Sequence, residues 1–252
     1  MHPFPAINSW IACSRPNARA TLRLLCFPYA GGGGSPYLQW ADFLPGTIEI
    51  CTIQMPGRDA RIVEPLVTRM ETLIQTLAGA MESYGQIPYA FFGHSMGALV
   101  GFELARALRR RRRTGPVVLF ASGCRAPQLP DPGSPIHGID TPAFIAELRR
   151  LEGTPEEVLQ STELMELLLP ALRADFALCE TYVYEDEAPL DCAISVFGGL
   201  DDPRTTRAEL ESWRLQTRRS FRLHMFSGNH FFLQQAPLQI VQEVARDLQP
   251  FL

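Results

Sequence analysis

Short apolar runs alternate with helical patterns along the first half of the chain. The apolar runs of strand length lie at residues 22–27, 48–53, 89–92 and 117–121. Helical patterns occupy the intervals between them, at residues 37–44, at residues 68–84 and from residue 96 to about 113. Strands that alternate with helices predict an α/β fold with a mostly parallel central sheet wound by right-handed crossovers.

This alternation stops between about residues 125 and 190, where the sequence holds no convincing strand pattern. Helical patterns fill the segment, at residues 141–151, 155–159 and 161–184. The last of them contains a stretch rich in Leu and Met, residues 164–169, that is too apolar for a helix with one side in water. We therefore expect a helical insertion that covers the sheet edge or the mouth of a site. Strand and helix patterns then resume, at residues 192–197, 206–217, 221–226 and 238–248.

The length of 252 residues fits one large domain. We expect residues 22–252 to form this domain, with the helical insertion at about 125–190 as part of it. Residues 1–21 are rich in Pro, Asn and Ser, which predicts an irregular N-terminal tail.

Charge and cysteine usage narrow the function classes. The net charge of −4 argues against a nucleic-acid partner. All 23 basic residues are Arg. The six cysteines are scattered without metal-ligand spacing, and four lie in apolar stretches, as expected for small buried side chains in a reducing compartment. No secretory leader or membrane-spanning run is evident. We expect a monomeric cytoplasmic protein that needs no metal or cofactor and binds no membrane.

The chemistry centres on the junction at Gly93-His-Ser95-Met-Gly97, where an apolar run ends and a helical pattern begins. A Ser between two glycines at a strand-to-helix turn is typical of a nucleophile elbow, since the turn strains the central residue and tolerates only small neighbours. The amide of Met96 would then lie at a helix N-terminus, directed at an oxyanion. The alternative is a tight turn with an idle serine.

A run of four glycines, residues 31–34, follows the first strand. It lacks the lysine of a phosphate-binding loop, and no acidic residue stands at the distance that a dinucleotide site requires. In a chain with a nucleophile elbow, the amides of such a loop can complete the oxyanion hole, with Ala30 as the expected donor. A flexible turn without a role is the alternative.

An elbow serine needs a base and an acid, which on an open α/β sheet follow in the order Ser, Asp or Glu, His. His230 follows the last strand and is the expected base. His224 lies within that strand, His94 within the elbow, and His2 and His137 precede the acid. For the acid, the sequence places Asp201 and Asp202 side by side after the preceding strand. We favour Asp202, which closes the turn before Pro203, and keep Asp201 as the alternative.

Several blocks of the sequence resemble one known family. They are residues 25–34, 55–65, 92–98, 173–184, 198–203 and 228–230. Together they look like the stand-alone type II thioesterases of polyketide and nonribosomal peptide synthesis, and the resemblance covers nearly the whole chain from residue 22. It departs from the family at Tyr29, where many relatives carry His, and at Asn229, where a second Gly is common. Neither position has a triad role.

The resemblance implies an α/β-hydrolase core with a mobile helical lid. It also implies hydrolysis of stalled or wrongly loaded acyl groups from the phosphopantetheine thiol of acyl or peptidyl carrier proteins. Because carrier proteins are typically acidic, exposed arginines are candidate docking charges: Arg125, Arg149, Arg150 and the run Arg109–Arg113. For that run, a solvated helix end is the simpler interpretation.

Two rival functions stay open at this point. The same triad could serve a general esterase or an acyltransferase, which a comparison of ester, thioester and acceptor substrates would distinguish. A non-catalytic scaffold that only binds an acyl group or a carrier protein is the other rival, but binding alone requires no triad.

Overall fold

The computed structural model describes residues 6–13, 15–84 and 87–252. Within these ranges, eight strands form one sheet: Ala6–Asn8 (β1), Ile11–Cys13 (β2), Leu22–Phe27 (β3), Ile48–Ile53 (β4), Tyr89–His94 (β5), Val118–Ser122 (β6), Ala193–Gly199 (β7) and Phe221–Phe226 (β8). Their order across the sheet is β1-β2-β4-β3-β5-β6-β7-β8. The strands from β3 to β8 run parallel, and β1 and β2 add an antiparallel edge.

The α-helices of the described chain number eight: Met70–Ala80 (α1), Met96–Arg110 (α2), Thr141–Leu151 (α3), Glu156–Gln160 (α4), Thr162–Glu180 (α5), Arg207–Glu211 (α6), Phe232–Gln235 (α7) and Pro237–Leu248 (α8). Short 3-10 helices occupy Ser35–Asp42, Asp59–Arg61, Met81–Ser83, Ser212–Gln216 and Gln249–Phe251. None of the helices in the described ranges has both the length and the apolar character needed to span a bilayer.

The sheet is buried on both faces, which explains why its strands are nearly continuous apolar runs. Along β3, Leu25 and Phe27 pack with α1 and α2 in one apolar cluster, whereas Leu24 and Cys26 pack with α8 in a second cluster on the other face. The period of two along a strand produces this division. The helices packed on the two faces of the sheet hold the carboxyl ends of the parallel strands in fixed positions.

Helices α3 to α5 lie in the predicted insertion and have an apolar cluster of their own, which includes Phe144, Met165 and Phe176. The first half of α5 is largely exposed, with Leu164 44% and Leu167 55% accessible. Its second half, after Pro170, is mostly buried. One helix therefore joins an outer, solvent-facing part to an inner part that packs on the core.

The prediction of an irregular N-terminal tail is wrong for two segments. Strands β1 and β2 form an antiparallel ribbon, and β2 pairs with the edge strand β4 through Ile11↔Ile53 to Cys13↔Cys51. Ile11 is fully buried in the core cluster. Three-residue strands carry too short a pattern to recognise, and the open edge of β4 supplies the hydrogen-bonding partners that order them.

The cysteines also differ from expectation. Cys13 and Cys51 face each other across β2 and β4 and are joined in a disulfide. The other four, Cys26, Cys124, Cys179 and Cys192, are free and partly or fully buried. The expectation of reduced cysteines is therefore wrong for this pair. The pairing depends on a β2–β4 register that the spacing of the cysteines along the chain does not reveal.

Candidate active site

The nucleophile elbow forms as predicted between β5 and α2. Ser95 has φ 52° and ψ −119°, a conformation that a residue with a side chain rarely adopts. A Cβ on Gly93 would lie 2.1 Å from the Gly97 carbonyl oxygen, and one on Gly97 would lie 2.3 Å from the Phe27 carbonyl oxygen. The Ser95 amide donates to the Ser122 carbonyl on the neighbouring strand β6 at 2.8 Å. Both glycines are thus required by close backbone contacts, and the strained serine is held in place.

Two backbone amides near Ser95 are free to donate. Met96 is the first residue of α2, and no described residue accepts a hydrogen bond from its N–H. Residues 29–32 form a turn in which the Gly32 N–H donates to the Tyr29 carbonyl at 2.9 Å and Gly31 has φ +75°. This geometry is typical of a type II turn. Ala30 lies within it, and its N–H likewise has no acceptor among the described residues.

His230 and Asp202 meet at the carboxyl ends of β7 and β8. The His230 Nδ1 and Asp202 Oδ2 atoms are 2.9 Å apart, and both side chains are almost fully buried. Asp202 also accepts from the Arg204 amide and the Thr205 hydroxyl, each at 2.8 Å. The structure therefore brings Asp202, not Asp201, to His230. Asp201 is exposed, and its amide donates to the Gly228 carbonyl at 3.0 Å.

The pKa of Asp202 is lowered. Burial acts to raise this pKa, but the hydrogen bond and charge of His230, with the donors Arg204 and Thr205, outweigh it. The carboxylate is thus ionised at neutral pH and orients the imidazole through Nδ1. The His230 Nε2 atom then faces away from Asp202, and it is buried with no hydrogen-bond partner among the residues that the structure describes.

The competing histidines lie outside this arrangement. His224 is within 3.5–3.6 Å of Asp247 and Glu243 on α8. His137 contacts Glu180 at the end of α5, and His2 lies outside the described residues. His94 is fully buried beside the elbow, and its Nδ1 lies 2.9 Å from the Ser122 hydroxyl. Burial, with the charges of His230 and Arg204, lowers the pKa of His94 well below its ordinary value, so its ring is neutral at pH 7.

Ser95 and His230 line one pocket, with Ala30 beside them, and the empty space there, part of it open to solvent, is about 370 Å³. No hydrogen bond joins the Ser95 hydroxyl to His230 Nε2 in this structure. Catalytic hydrogen bonds are commonly long in a site without substrate and shorten when substrate binds. The opposite wall consists of apolar side chains of α3 and α5: Leu148, Leu151, Leu172 and Phe176.

Tyr29 and Arg204 also line the pocket. Tyr29 packs edge-on against His94 and Phe231, so the residue that departs from the family pattern forms part of the wall. Arg204 also lines the pocket, and its guanidinium has no hydrogen-bond or ion-pair partner among the described side chains. The pocket lining therefore combines apolar side chains with the cation of Arg204.

Sequence reasoning missed several residues that connect the insertion to the site. Asn229 donates to Glu152 at the end of α3, at 2.7 Å, and its Oδ1 accepts from the Phe231 amide. Asp175 on α5 accepts from the Gly31 amide and pairs with Arg58. A signal for Asp175 was present, since a carboxylate stands inside the apolar stretch from Ala174 to Leu178.

Among the described residues, no cluster of three potential metal ligands lies at the pocket. In the described part of the chain, the potential metal ligands that lie close together are Cys13, Glu49 and Cys51, on the far edge of the sheet. The two sulfurs are bonded to each other, and Glu49 pairs with Arg23. The groups that converge on the pocket are instead those of acyl transfer: a hydroxyl, an imidazole and two free amides.

The parallel sheet, the elbow and the order Ser95, Asp202, His230 define the α/β-hydrolase fold. The family described as "Thioesterase domain" matches residues 22–252. The chain belongs to this thioesterase family, and it is a thioester hydrolase.

Three similar proteins illustrate the relationship. The gramicidin S biosynthesis protein GrsT of Aneurinibacillus migulanus is 44% identical over 242 residues, covering 96% of this chain and 94% of that protein. Thioesterase PikA5 of Streptomyces venezuelae is 39% identical, with 95% and 85% covered. The structure of the type II thioesterase BorB from the borrelidin biosynthetic cluster superposes with a TM-score of 0.87 at 34% identity, with 96% and 98% covered.

Proposed function

We propose that this thioester hydrolase removes stalled or wrongly loaded acyl groups from the phosphopantetheine arm of acyl or peptidyl carrier proteins. Ser95 is the nucleophile, His230 the base and Asp202 the acid of this proposal. The observation that carries it is one pocket that holds Ser95 at a strained elbow beside a buried His230, whose Nδ1 is bound by Asp202 and whose Nε2 is free.

The mechanism follows from these positions. The Ser95 hydroxyl attacks the thioester carbonyl while His230 Nε2 takes its proton, and the amides of Met96 and Ala30 bind the oxyanion. When the tetrahedral intermediate collapses, the thiol leaves with the proton from His230. Water then attacks the acyl-enzyme with the same imidazole as base, and the carboxylic acid and Ser95 are released.

The proposed substrate class rests on the pocket walls and on the relatives. Apolar side chains of α3 and α5 fit an acyl chain. GrsT is a protein of gramicidin S biosynthesis, and BorB comes from a borrelidin biosynthetic cluster. We propose that α3 to α5 act as the lid over this acyl site, as part of a single domain from residue 22 onward.

The two rival functions make different predictions. A general esterase would hydrolyse simple esters as well as carrier-bound thioesters, and an acyltransferase would convert an added alcohol or amine. A binding scaffold would turn over neither substrate. Comparing carrier-bound thioester, free thioester and ester substrates with one enzyme preparation separates all of these functions.

Replacement of the nucleophile is the direct test. We expect Ser95→Ala to lower kcat on a carrier-bound acyl thioester at least about a thousandfold, because the acyl-enzyme cannot form. Release of the free carrier thiol measures the reaction, and circular dichroism checks the fold. Turnover equal to that of the wild type would refute the proposed mechanism.

A further inference from the structure

The loop at residues 29–34, which contains Ala30 and is called the oxyanion loop below, has four consecutive glycines, residues 31–34. Glycine residues have little backbone conformational preference. In a turn of the type seen at residues 29–32, the central peptide can rotate at small cost when glycine is the third residue. Such a loop cannot by itself hold the Ala30 N–H at a fixed angle to Ser95. Contacts from outside the loop must do so, because oxyanion stabilisation depends on donors that are oriented before the reaction.

Two charged side chains supply these contacts. The Gly31 N–H donates to Asp175 Oδ2 at 2.8 Å. Arg58 donates through one nitrogen to Asp175 Oδ1 at 2.7 Å and through another to the Gly32 carbonyl at 2.9 Å. The Gly31–Gly32 segment is thus held from both sides, at an N–H and at a C=O, by a closed ring of hydrogen bonds.

The ring is buried. Asp175 is 1% exposed, and the side chain of Arg58 is 11% exposed. A buried carboxylate is costly unless its oxygens are satisfied, and here each oxygen accepts a hydrogen bond from an N–H group. Helix α5 also lies directly on the loop, since a Cβ on Gly31 would be 2.5 Å from Leu172 Cδ2. The contact between α5 and the loop is therefore close and specific.

We propose that Asp175, together with Arg58, is a positioning residue for the oxyanion hole, and that it makes catalysis depend on the docking of α5. This inference rests on the proposed function of Ser95 and Ala30. When the inner half of α5 lies on the loop, Asp175 fixes the Gly31 turn and the adjacent Ala30 N–H. When that half of α5 moves away, the turn loses its external contacts and the donor loses its orientation.

The test is Asp175→Asn, which keeps the size of the side chain and one acceptor oxygen but removes the charge opposite Arg58. The matched control is Glu180→Gln on the same helix. Glu180 is also a mostly buried carboxylate that accepts two backbone amides, those of Ile136 and His137 at 3.0 Å, but it does not contact the oxyanion loop.

We expect Asp175→Asn to lower kcat on a free acyl thioester by about 10- to 100-fold with little change in KM, because only the transition state needs the donor. The inhibition constant of an acyl trifluoromethyl ketone, which forms a tetrahedral adduct with Ser95, should rise by the same factor. Glu180→Gln should leave both quantities close to wild type. Equal effects of the two variants, or a rise in KM at unchanged kcat, would overturn the inference.

Two further variants, Arg58→Lys and Ser95→Ala, complete the experiment. If Asp175→Asn does not fold, Arg58→Lys serves instead, because an ammonium cannot hold Asp175 and the Gly32 carbonyl with the geometry of a guanidinium. Its kcat should fall at constant KM, and an unchanged kcat would count against the proposal. Ser95→Ala in the same assay distinguishes the two levels: turnover equal to that of the wild type would reject the proposed mechanism, whatever the effect of Asp175→Asn.

Discussion

Asp202 and Asp201 stand side by side, yet their surroundings differ in every respect that matters for a triad. The Asp202 side chain is buried, has a lowered pKa and lies 2.9 Å from His230 Nδ1. Asp201 is exposed. At the scale of single residues, therefore, roles follow from the environment of a carboxylate and not from its type.

Replacement of each aspartate in turn tests this assignment. We expect Asp202→Asn to lower kcat by a hundredfold or more, up to about ten-thousandfold, because a neutral amide no longer stabilises the imidazolium or selects its tautomer. Asp201→Asn, the matched control, should keep kcat close to wild type. Steady-state hydrolysis of an acyl thioester measures both variants, and the reverse ranking would assign the role to Asp201.

A second buried carboxylate, Asp247 on α8, has a purely structural environment. Burial acts to raise its pKa, but the nearby His224, the hydrogen bonds from Ser195 and Arg222 and the charge of Arg222 outweigh burial and lower it. The Ser195 hydroxyl donates to it at 2.6 Å. A carboxylate whose pKa is lower in the folded state stabilises the fold above its unfolded-state pKa, here about 3.8, and this stabilisation is lost as the pH falls below it.

We therefore expect Asp247→Asn to lower the denaturation midpoint at pH 5, and the difference from wild type to shrink at pH 3. Urea unfolding followed by circular dichroism measures it. The control is Glu211→Gln, which removes an exposed i, i+4 pair with Arg207 and should have a small effect at both pH values. A wild-type advantage over Asp247→Asn that grows between pH 5 and pH 3 would contradict the sign expected from the lowered pKa.

At the scale of elements, a few long-range contacts fix the β1–β2 ribbon on the sheet edge and the inserted helices on the pocket. The β1–β2 ribbon covers the open side of β4 and is bonded to it through Cys13 and Cys51. The inserted helices contact two loops at the pocket. Asp175 of α5 accepts from Gly31 in the oxyanion loop, and Glu152 at the end of α3 accepts from Asn229, which precedes His230.

Counting reactive thiols tests the β2–β4 connection. After denaturation without reductant, we expect four cysteines to react with iodoacetamide, and six after reduction, because Cys13 and Cys51 are joined. Intact-mass spectrometry counts the added groups. A Cys13→Ser variant is the control and should show five reactive cysteines without reductant. Six reactive cysteines in the unreduced wild type would show that the pair is not bonded in the isolated protein.

At the scale of the whole molecule, the candidate docking arginines differ in their distance from the pocket and in their exposure. Helix α2 has 15 residues, so its arginine-rich end is about 22 Å from the elbow along the helix axis. Arg149 and Arg150 instead belong to α3, whose Leu148 and Leu151 line the pocket. Their side chains are 50% and 74% exposed, and their ion pairs within the chain are at the surface. Arg125 is less available, since it pairs with Asp131 and is only 17% exposed.

For the acidic carrier protein of the proposed function, we infer docking on the α3 side. We expect Arg149→Glu/Arg150→Glu to raise KM for a carrier-bound acyl thioester about fivefold, since two surface charges are reversed. Hydrolysis of a free acyl thioester should be unchanged, and the effect should weaken at high salt.

The control for this prediction is Arg112→Glu/Arg113→Glu, which reverses two exposed arginines that have no ion-pair partner within the described chain and lie far from Ser95. It should leave KM unchanged. If this control raises KM and the α3 variant does not, the run at the end of α2 is the docking surface.

Much of this molecule could be predicted from local sequence. The apolar runs placed strands β3, β4 and β8 at the observed residues, and the helical pattern at residues 141–151 placed α3. The positions of Ser95 directly after β5 and of His230 shortly after β8 could also be predicted. Such features are local, because a strand or an elbow depends mainly on residues within a few positions of one another.

Only the tertiary structure decided the remaining features. It placed Asp202 against His230, ordered β1 and β2 on the edge of β4, joined Cys13 to Cys51 and brought Asp175 to the Gly31 turn. Each of these contacts joins residues that are 28 or more positions apart in the sequence. Their partners are chosen by the packing of whole elements, and a periodic pattern of apolar and polar positions contains no information about that choice.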